Sequence, residues 1–218
     1  MDLASFTDLV ESLVRDDDGR LATSEIATAV TLATNRYSKD RPRLLIEDVT
    51  ASAAQRLNEP ASWDSEFSEI RSIEYPLDQS PPCFIPTSDF YVYEGINNVK
   101  EIRLVFSTAV VGANCRIRFT AKHESPSTFA DDHLELVAGF AAAHLCDHLS
   151  AIYGHTTDPT IQSDSVDHNN KGRDFAIRAK SLRSRYEKMF EPRTASSGAS
   201  AVKVVQQKSS KGARRLFH

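Results

Sequence analysis

Two long helical periodicities, separated by a polar linker, dominate the second half of the chain. Over residues 131–153, Leu134, Val137, Phe140, Ala141, Leu145, Leu149 and Ile152 recur at three- and four-residue steps, which sets them on one face of a 3.6-residue helix. Phe175, Ala179, Leu182, Tyr186 and Met189 form a second stripe of the same kind, with charged residues almost everywhere off it. The two stripes predict helices that pack on each other. In the first, Ala138-Gly139 and Ala141-Ala142-Ala143 make a small-residue waist that lets another helix come close. Thr128 or Asp131 is expected to cap this helix, with Asp131, Asp132 and Glu135 near its positive end. Residues 154–168 read as the linker: Ser163, Asp164 and Ser165 close it, and Asp167 caps the second helix.

The first half of the chain is patterned differently. Leu3, Phe6, Leu9, Val10 and Leu13 predict a short amphipathic helix over residues 2–14. Asp16-Asp17-Asp18-Gly19 breaks it, and a second helix is predicted from about 23 to 39, with Thr23 or Ser24 as N-cap and Glu25 in its first turn. Pro42 disfavours helical geometry at Arg41 and ends that helix. Residues 44–49 predict a short strand, and Trp63 and Phe67 look like anchors under a loop. From 70 to about 122 the pattern turns to period two. Ile102, Leu104 and Phe106 alternate with Arg103 and Val105, and Cys115, Ile117 and Phe119 alternate with Arg116, Arg118 and Thr120. That is the signature of a half-exposed antiparallel sheet. Turns are expected at Asn97-Asn98 and at Val111-Gly112-Ala113-Asn114. Residues 77–88, with Pro81, Pro82 and Pro86, suggest an extended surface excursion.

The predicted fold class is therefore α+β: a small helical bundle of two N-terminal and two long C-terminal helices, an inserted antiparallel β subdomain, and a flexible C-terminal tail. The expected organisation assigns residues 1–67 to N-terminal helices and a short strand, 68–125 to the β insertion, 126–191 to the helical pair and 192–218 to the tail.

Composition adds constraints. The 218 residues are 40% hydrophobic and 26% charged, an ordinary soluble composition, and long enough to bury a core without disulfides or metals. No apolar run in the sequence reaches the ~18 residues that span a bilayer, so no membrane partner is expected. Met1-Asp2-Leu3-Ala4-Ser5-Phe6 lacks the basic and apolar regions of a signal peptide. Three scattered cysteines, Cys83, Cys115 and Cys146, suit a reducing compartment better than a disulfide framework.

Charge changes the picture more. Residues 1–170 hold 13 Lys+Arg against 27 Asp+Glu, whereas residues 171–218 hold 13 against 3. Such a split implies that the basic end meets something acidic, either nucleic acid or an acidic protein surface, including another copy of this chain. Lys171, Arg173, Arg178, Arg183 and Arg185 on the last predicted helix are the candidate inter-subunit contacts. DNA readout by that helix would call for a helix-turn-helix partner or aromatics interleaved with the charges, and neither is evident. The tail carries Lys203, Lys208, Lys211, Arg214 and Arg215, with Val202, Val204, Val205, Leu216 and Phe217 as apolar anchors. A basic segment with two apolar clusters reads as a docking peptide that orders on binding.

Candidate chemistry is thin. His144 and His148 are one helical turn apart, with Cys146 and Asp147 between them, and could share a metal. Leu145, however, stands where a zinc-protease motif has glutamate; His133, His155, His168 and Asp167 lie nearby in sequence and could complete a site, but polar residues on the exposed face of an amphipathic helix are the simpler reading. Asp16, Asp18, Gly19 and Glu25 fall at calcium-loop positions, but Val14 would occupy the first ligand position; a solvated acidic turn is the simpler reading. Ser163 to His168 contains Ser, Asp and His as neighbours, whereas a nucleophilic triad converges from separate elements. No catalytic, cofactor or metal site is assigned, and the chain reads as a non-enzyme.

Four stretches resemble the head-to-tail connector (adaptor) proteins of tailed double-stranded-DNA bacteriophages. They are Ala29-Val30 through Arg36-Tyr37-Ser38-Lys39-Asp40-Arg41-Pro42-Arg43 into Glu47-Asp48-Val49; Trp63, Phe67-Ser68, Ile70 and Ile73-Glu74-Tyr75-Pro76; the alanine-rich helix 141–153; and Ile161-Gln162-Ser163-Asp164-Ser165-Val166-Asp167-His168 with the helix 171–186. The resemblance implies a structural neck protein forming a ring, commonly of twelve copies, beneath the portal. Its tail would dock on the portal, and its lower rim would receive a downstream neck, stopper or tail-terminator protein. Genomic DNA would pass through the lumen without sequence-specific binding, the particle assembling in the host cytoplasm and the protein residing in the virion neck. The β-rich stretch exceeds what the plainest helical members need and is expected to face tail components. The competing expectation is a nucleic-acid-binding protein that uses the basic helix and tail.

Overall fold

The computed structural model of the chain describes residues 1–95, 100–105, 107–155 and 171–190. They form four helices and a seven-stranded antiparallel sheet, an α+β fold. Helix α1 spans Leu3–Val14, α2 Thr23–Asp40, α3 Leu134–His155 and α4 Lys171–Phe190.

Helices α1 and α2 begin where a local acceptor allows it. Asp2 caps α1 by accepting the Ser5 N–H at 2.8 Å, and burial of Phe6, Val10 and Val14 at four-residue steps fixes its inner face. Arg15 closes it in the left-handed region at φ 57°. Helix α2 starts at Thr23 as expected, but neither Thr23 nor Ser24 caps it. Its N-cap is Ala22, which has no side-chain acceptor; the Glu25 carboxylate instead takes the Ala22 N–H at 2.8 Å. Neither Thr128 nor Asp131 caps α3. Residues Asp131–His133 form a 3-10 turn before it, and the Thr128 hydroxyl lies between the Ser125 carbonyl, at 2.7 Å, and His123 Nδ1, at 2.8 Å.

Helix α3 is the axis of the bundle, touching α1, α2 and α4. Ala138, Ala141, Ala142 and Ala143 are fully buried, so the small-residue waist does admit close neighbours. Residues 131–154 are long and apolar enough by composition to cross a membrane, which corrects the expectation that no such segment exists; packing of three helices around it accounts for its apolarity. On α4, Ala179 and Tyr186 are buried as the stripe predicts, but Met189 is exposed. Phe190 takes its place, packing on Tyr186, Tyr37 and His133 at centroid distances of 4.6, 5.8 and 5.0 Å. Where α4 begins, a Cβ on Gly172 would sit 3.1 Å from the Ser150 carbonyl of α3. Glycine gives the close approach room there; a side chain would have to displace the carbonyl by a few tenths of an ångström.

The strands are β1 (Arg43–Ala53), β2 (Arg56–Leu57), β3 (Ile70–Glu74), β4 (Phe84–Ile85), β5 (Phe90–Glu94), β6 (Lys100–Leu104) and β7 (Asn114–Ala121), in the order β4-β3-β7-β1-β2-β6-β5. The strand expected over 44–49 is thus eleven residues long and lies mid-sheet. It pairs with β7 from Arg43↔Ala121 to Thr50↔Asn114, then passes an irregularity between Ala51 and Ala53 where β2 takes over. The excursion over 77–88 is likewise more ordered than its prolines suggest, because β4 within it pairs with β3 through Ile73↔Ile85.

Alternation explains which side is buried. Val49, Ala51, Ile102, Leu104, Cys115, Ile117 and Phe119 point inward, as the period-two runs predict; Phe106 lies outside the described residues. Ile73 and Ile85 from one end of the sheet share one cluster with Ile102 and Leu104 from the other, so the sheet curves around its own core. Trp63 covers that core, its ring 5.6 Å from Phe119.

Bundle and sheet meet where α2 runs into β1 and β7 returns toward α3. His123 bridges this joint. Its Nε2 lies 2.9 Å from the Arg41 carbonyl and its Nδ1 2.8 Å from the Thr128 hydroxyl, while its backbone N–H donates to Ser38 Oγ at 3.0 Å. A carbonyl can only accept, so Nε2 carries the proton. Phe6, Tyr37, Phe129, His133 and Phe190 gather beside it in edge-on contacts.

Candidate assembly surfaces

The basic helix α4 sorts its charges by direction. Four of the five candidate contact residues have partners within the chain. Lys171 Nζ lies 2.9 Å from Asp18 Oδ2, Arg178 donates to the Val14 carbonyl at 2.7 Å, Arg183 pairs with Asp147, and Arg185 reaches Glu135 at 3.3 Å. Arg173 is exposed, as are Ile177, Lys180 and Lys188. Steps of four, three and eight residues place these four on one outward strip of the helix. Among the described residues none of the three cations has an ion-pair partner. The sequence pattern, which treated the helix as basic all round, missed this division; an (i, i+4) search along one helix has no access to carboxylates on another.

Asp18 was the least expected participant. It accepts the Tyr153 hydroxyl at 2.6 Å as well as Lys171. The Tyr153 bond, followed by Lys171, holds its carboxyl below the usual range; the same contacts raise Tyr153 and Lys171. The acidic turn therefore ties α1–α2 to the facing ends of α3 and α4 and is not merely solvated. Two of the other calcium-loop carboxylates are committed too: Asp16 accepts the Leu21 N–H at 2.8 Å, and Glu25 caps α2. A cavity of about 290 Å³ opens beside this corner, lined by Arg15, Asp17, Tyr153, Asp174 and Phe175.

His144 and His148 line a groove between α2 and α3, about 340 Å³, with Glu25, Thr28, Ala29 and Leu32 opposite. His148 Nδ1 approaches Glu25 at 3.4 Å, while burial, and then the nearby Arg183, hold His144 below the ordinary imidazole range. Asp147 points the other way, to Arg183, and Cys146 is buried. Among the described residues no group of three or more His, Cys, Asp or Glu is placed to hold a metal ion. The linker residues Ser163, Asp164, Ser165, Asp167 and His168, and all the tail residues 202–217, lie outside the described residues.

The sheet has two unlike edges. β4 is two residues long and flanked by Pro82 and Pro86. β5 is five residues long without proline or lysine, and Tyr91, Val92 and Tyr93 are 47, 40 and 38% exposed. Arg103 stacks over Tyr93, its guanidinium carbon 3.5 Å from the ring centroid, and pairs with Glu101. On the outward face of β1, Leu44 and Ile46 are also exposed.

No family model matches the sequence, and no curated protein matches it. Among solved structures, a chain of one described as "Neck of empty GTA particle computed with C6 symmetry" aligns with 12% identity and a TM-score of 0.30, covering 80% of this chain and 88% of that one. A likeness that slight bears on neither fold nor function.

Proposed function

We propose that this chain is a structural, non-enzymatic adaptor of a phage neck, a ring subunit placed beneath the portal. The supporting observation is that stretches resembling connector proteins, far apart in the chain, converge on one helical body. Tyr186 donates its hydroxyl proton to Asp40 at 2.9 Å, joining the fourth stretch to the first. Ala29 and Leu145 line one groove, joining the first to the third. Gly172 lies against the Ser150 carbonyl, joining the fourth to the third.

The charge distribution gives such a subunit a means of assembly. A head-to-tail ring needs two unlike faces on each copy. The outward strip of Arg173, Ile177, Lys180 and Lys188 supplies a basic one, bordered by Lys171, Arg178, Arg183 and Arg185, whose partners lie within the subunit. A neighbour's acidic body supplies the other. The same acidity suits a channel wall past which DNA slides without being gripped. The basic tail from Val202 to Phe217, with Leu216 and Phe217 as its terminal anchors, docks on the portal, and the curved sheet faces the downstream neck or tail component.

Native mass spectrometry and electron microscopy of the full chain mixed with its cognate portal test this reading. Rings that co-purify with portal, and lose it on Leu216→Asp with Phe217→Asp, are expected. A chain that stays monomeric and never binds portal overturns it. Salt-dependent DNA affinity that disappears when residues 191–218 are removed would establish the nucleic-acid-binding alternative instead.

A further inference from the structure

The unprotected edge of the sheet carries the next step. An exposed strand edge presents unpaired N–H and C=O groups on which another chain can add a strand, and proteins ordinarily blunt such edges with proline, lysine, a bulge or brevity. Here one edge is blunted and the other is not. β4 offers two residues between prolines, whereas β5 offers Phe90-Tyr91-Val92-Tyr93-Glu94 with none of those devices.

The register shows which backbone groups are free. The Val105 N–H donates to the Asp89 carbonyl at 2.8 Å, and that pair continues the register Phe90↔Leu104, Tyr91↔Arg103, Val92↔Ile102 and Tyr93↔Glu101. Hydrogen-bonded pairs alternate in an antiparallel ladder, so residues 89, 91 and 93 face β6. The N–H and C=O of Phe90, Val92 and Glu94 therefore point away from the sheet. Tyr91 and Tyr93 on one face, with Val92 on the other, would flank an added strand with apolar surface on both sides.

Two possible occupants are poor fits. A β4 edge from another copy cannot extend the ladder, because the prolines around it remove donors. A β5–β5 pair is isologous; it closes as a dimer and uses up the edge without building a ring. Within the sequence outside the described residues, 202–205 reads Val-Lys-Val-Val, the β-branched composition that suits a pleated strand, with Lys203 able to meet the exposed Glu94.

Reach decides whose segment it is. Phe190 ends α4 beneath Arg41, 6.0 Å from its guanidinium. From there β1 runs ~33 Å to Ala51, and β5 lies three strands across, ~14 Å, which makes a span of ~36 Å. The link from 190 to 202 stretches to at most ~40 Å, so the chain's own segment would have to be almost fully extended. A neighbouring copy whose Phe190 lies closer to this β5 reaches it with slack in the same link.

We infer that β5 is an acceptor edge for residues 202–205 of a neighbouring copy, which add to it as an eighth strand and tie adjacent subunits together. In this arrangement residues 202–205 engage the neighbouring copy, and the portal contact of the tail falls to residues 208–217. Main-chain hydrogen bonds supply the attachment and the alternate side chains its register.

Residue-resolved hydrogen exchange on the full chain tests this. The outward amides of Val92 and Glu94 should exchange at least tenfold more slowly in the wild-type chain than in Val204→Pro, and their protection should grow with protein concentration. The inward amides of Tyr91 and Tyr93 should be equally protected in both chains. Val92→Pro removes an outward N–H without touching the β5–β6 ladder, so it should keep the wild-type circular dichroism while shifting native mass spectra toward smaller species. If Val92→Pro misfolds, Val204→Pro, which changes no strand of the sheet, still reports. Rapid exchange of Val92 and Glu94 in the wild type, protection that survives Val204→Pro, or protection independent of concentration would each overturn the inference. None of these outcomes bears on portal capture, which is read separately at Leu216 and Phe217.

Discussion

The Tyr37 hydroxyl lies 2.9 Å from His133 Nδ1, joining positions 96 residues apart at the base of the bundle. It also accepts the Ala130 N–H at 3.4 Å, and His133 Nε2 faces Asp132 at 3.5 Å. One phenol thus ties the imidazole and the backbone before α3 to helix α2. Tyr37→Phe should cost ~1–3 kcal/mol, because it leaves buried polar groups unpaired. Tyr37→Ala should cost ~3–5 kcal/mol through the cavity left among Phe129, His133 and Phe190. Urea denaturation would measure both; a smaller loss for Ala than for Phe would contradict this account.

His123 makes the joint between bundle and sheet sensitive to acid. Burial is the main reason its value lies below the ordinary 6.5, and His144 shifts the same way. Because the folded-state values are depressed, the unfolded chain takes up protons first as pH falls. Stability is then full above about 6.5 and declines below it. Urea midpoints at pH 7.5 and 5.5 should differ in that direction, and His123→Gln should reduce the difference. An unchanged difference would remove His123 from the cause.

Tyr186 should not ionise while the protein is folded. Burial, with the hydrogen bond to Asp40, raises it far above the usual phenol range. An ultraviolet titration of the native chain should show fewer than its six tyrosines below the pH of alkaline unfolding, and Tyr186→Phe should leave that native count unchanged.

Of the three cysteines, Cys83 is exposed while Cys115 and Cys146 are buried, and burial pushes both buried thiols up to about 11. A thiol reagent at pH 8 should modify one cysteine in the native protein and three in denaturant. Rapid native modification of all three would mean that the two cores open readily.

Gly172→Ala should destabilise the chain even though alanine favours helix by ~1 kcal/mol. Its methyl would press on the Ser150 carbonyl, a backbone atom that cannot swing aside. Gly154→Ala is the control, since a Cβ there meets nothing within 4 Å. A higher melting temperature for Gly172→Ala would show that α4 can tilt away at little cost.

Local chemistry carried much of this protein in its sequence. Periodicities of 3.6 and 2 determined the type of nearly every long element, since burial of one face forces that spacing whatever the packing partner is. They also determined the inward rows Ile102/Leu104 and Cys115/Ile117/Phe119, and the waist of α3. Tertiary structure alone decided the matters that depend on distant residues meeting. It extended β1 into the middle of the sheet, because β7 and β2 supply its ladder from both sides. It moved the end of the α4 stripe from Met189 to Phe190, because Tyr37 and His133 wait there. It neutralised Lys171, Arg183 and Arg185 with carboxylates on other elements, which left Arg173, Lys180 and Lys188 facing outward. It also left β5 at an open edge, since strand order is set by long-range pairing, and no local pattern records which strand comes last.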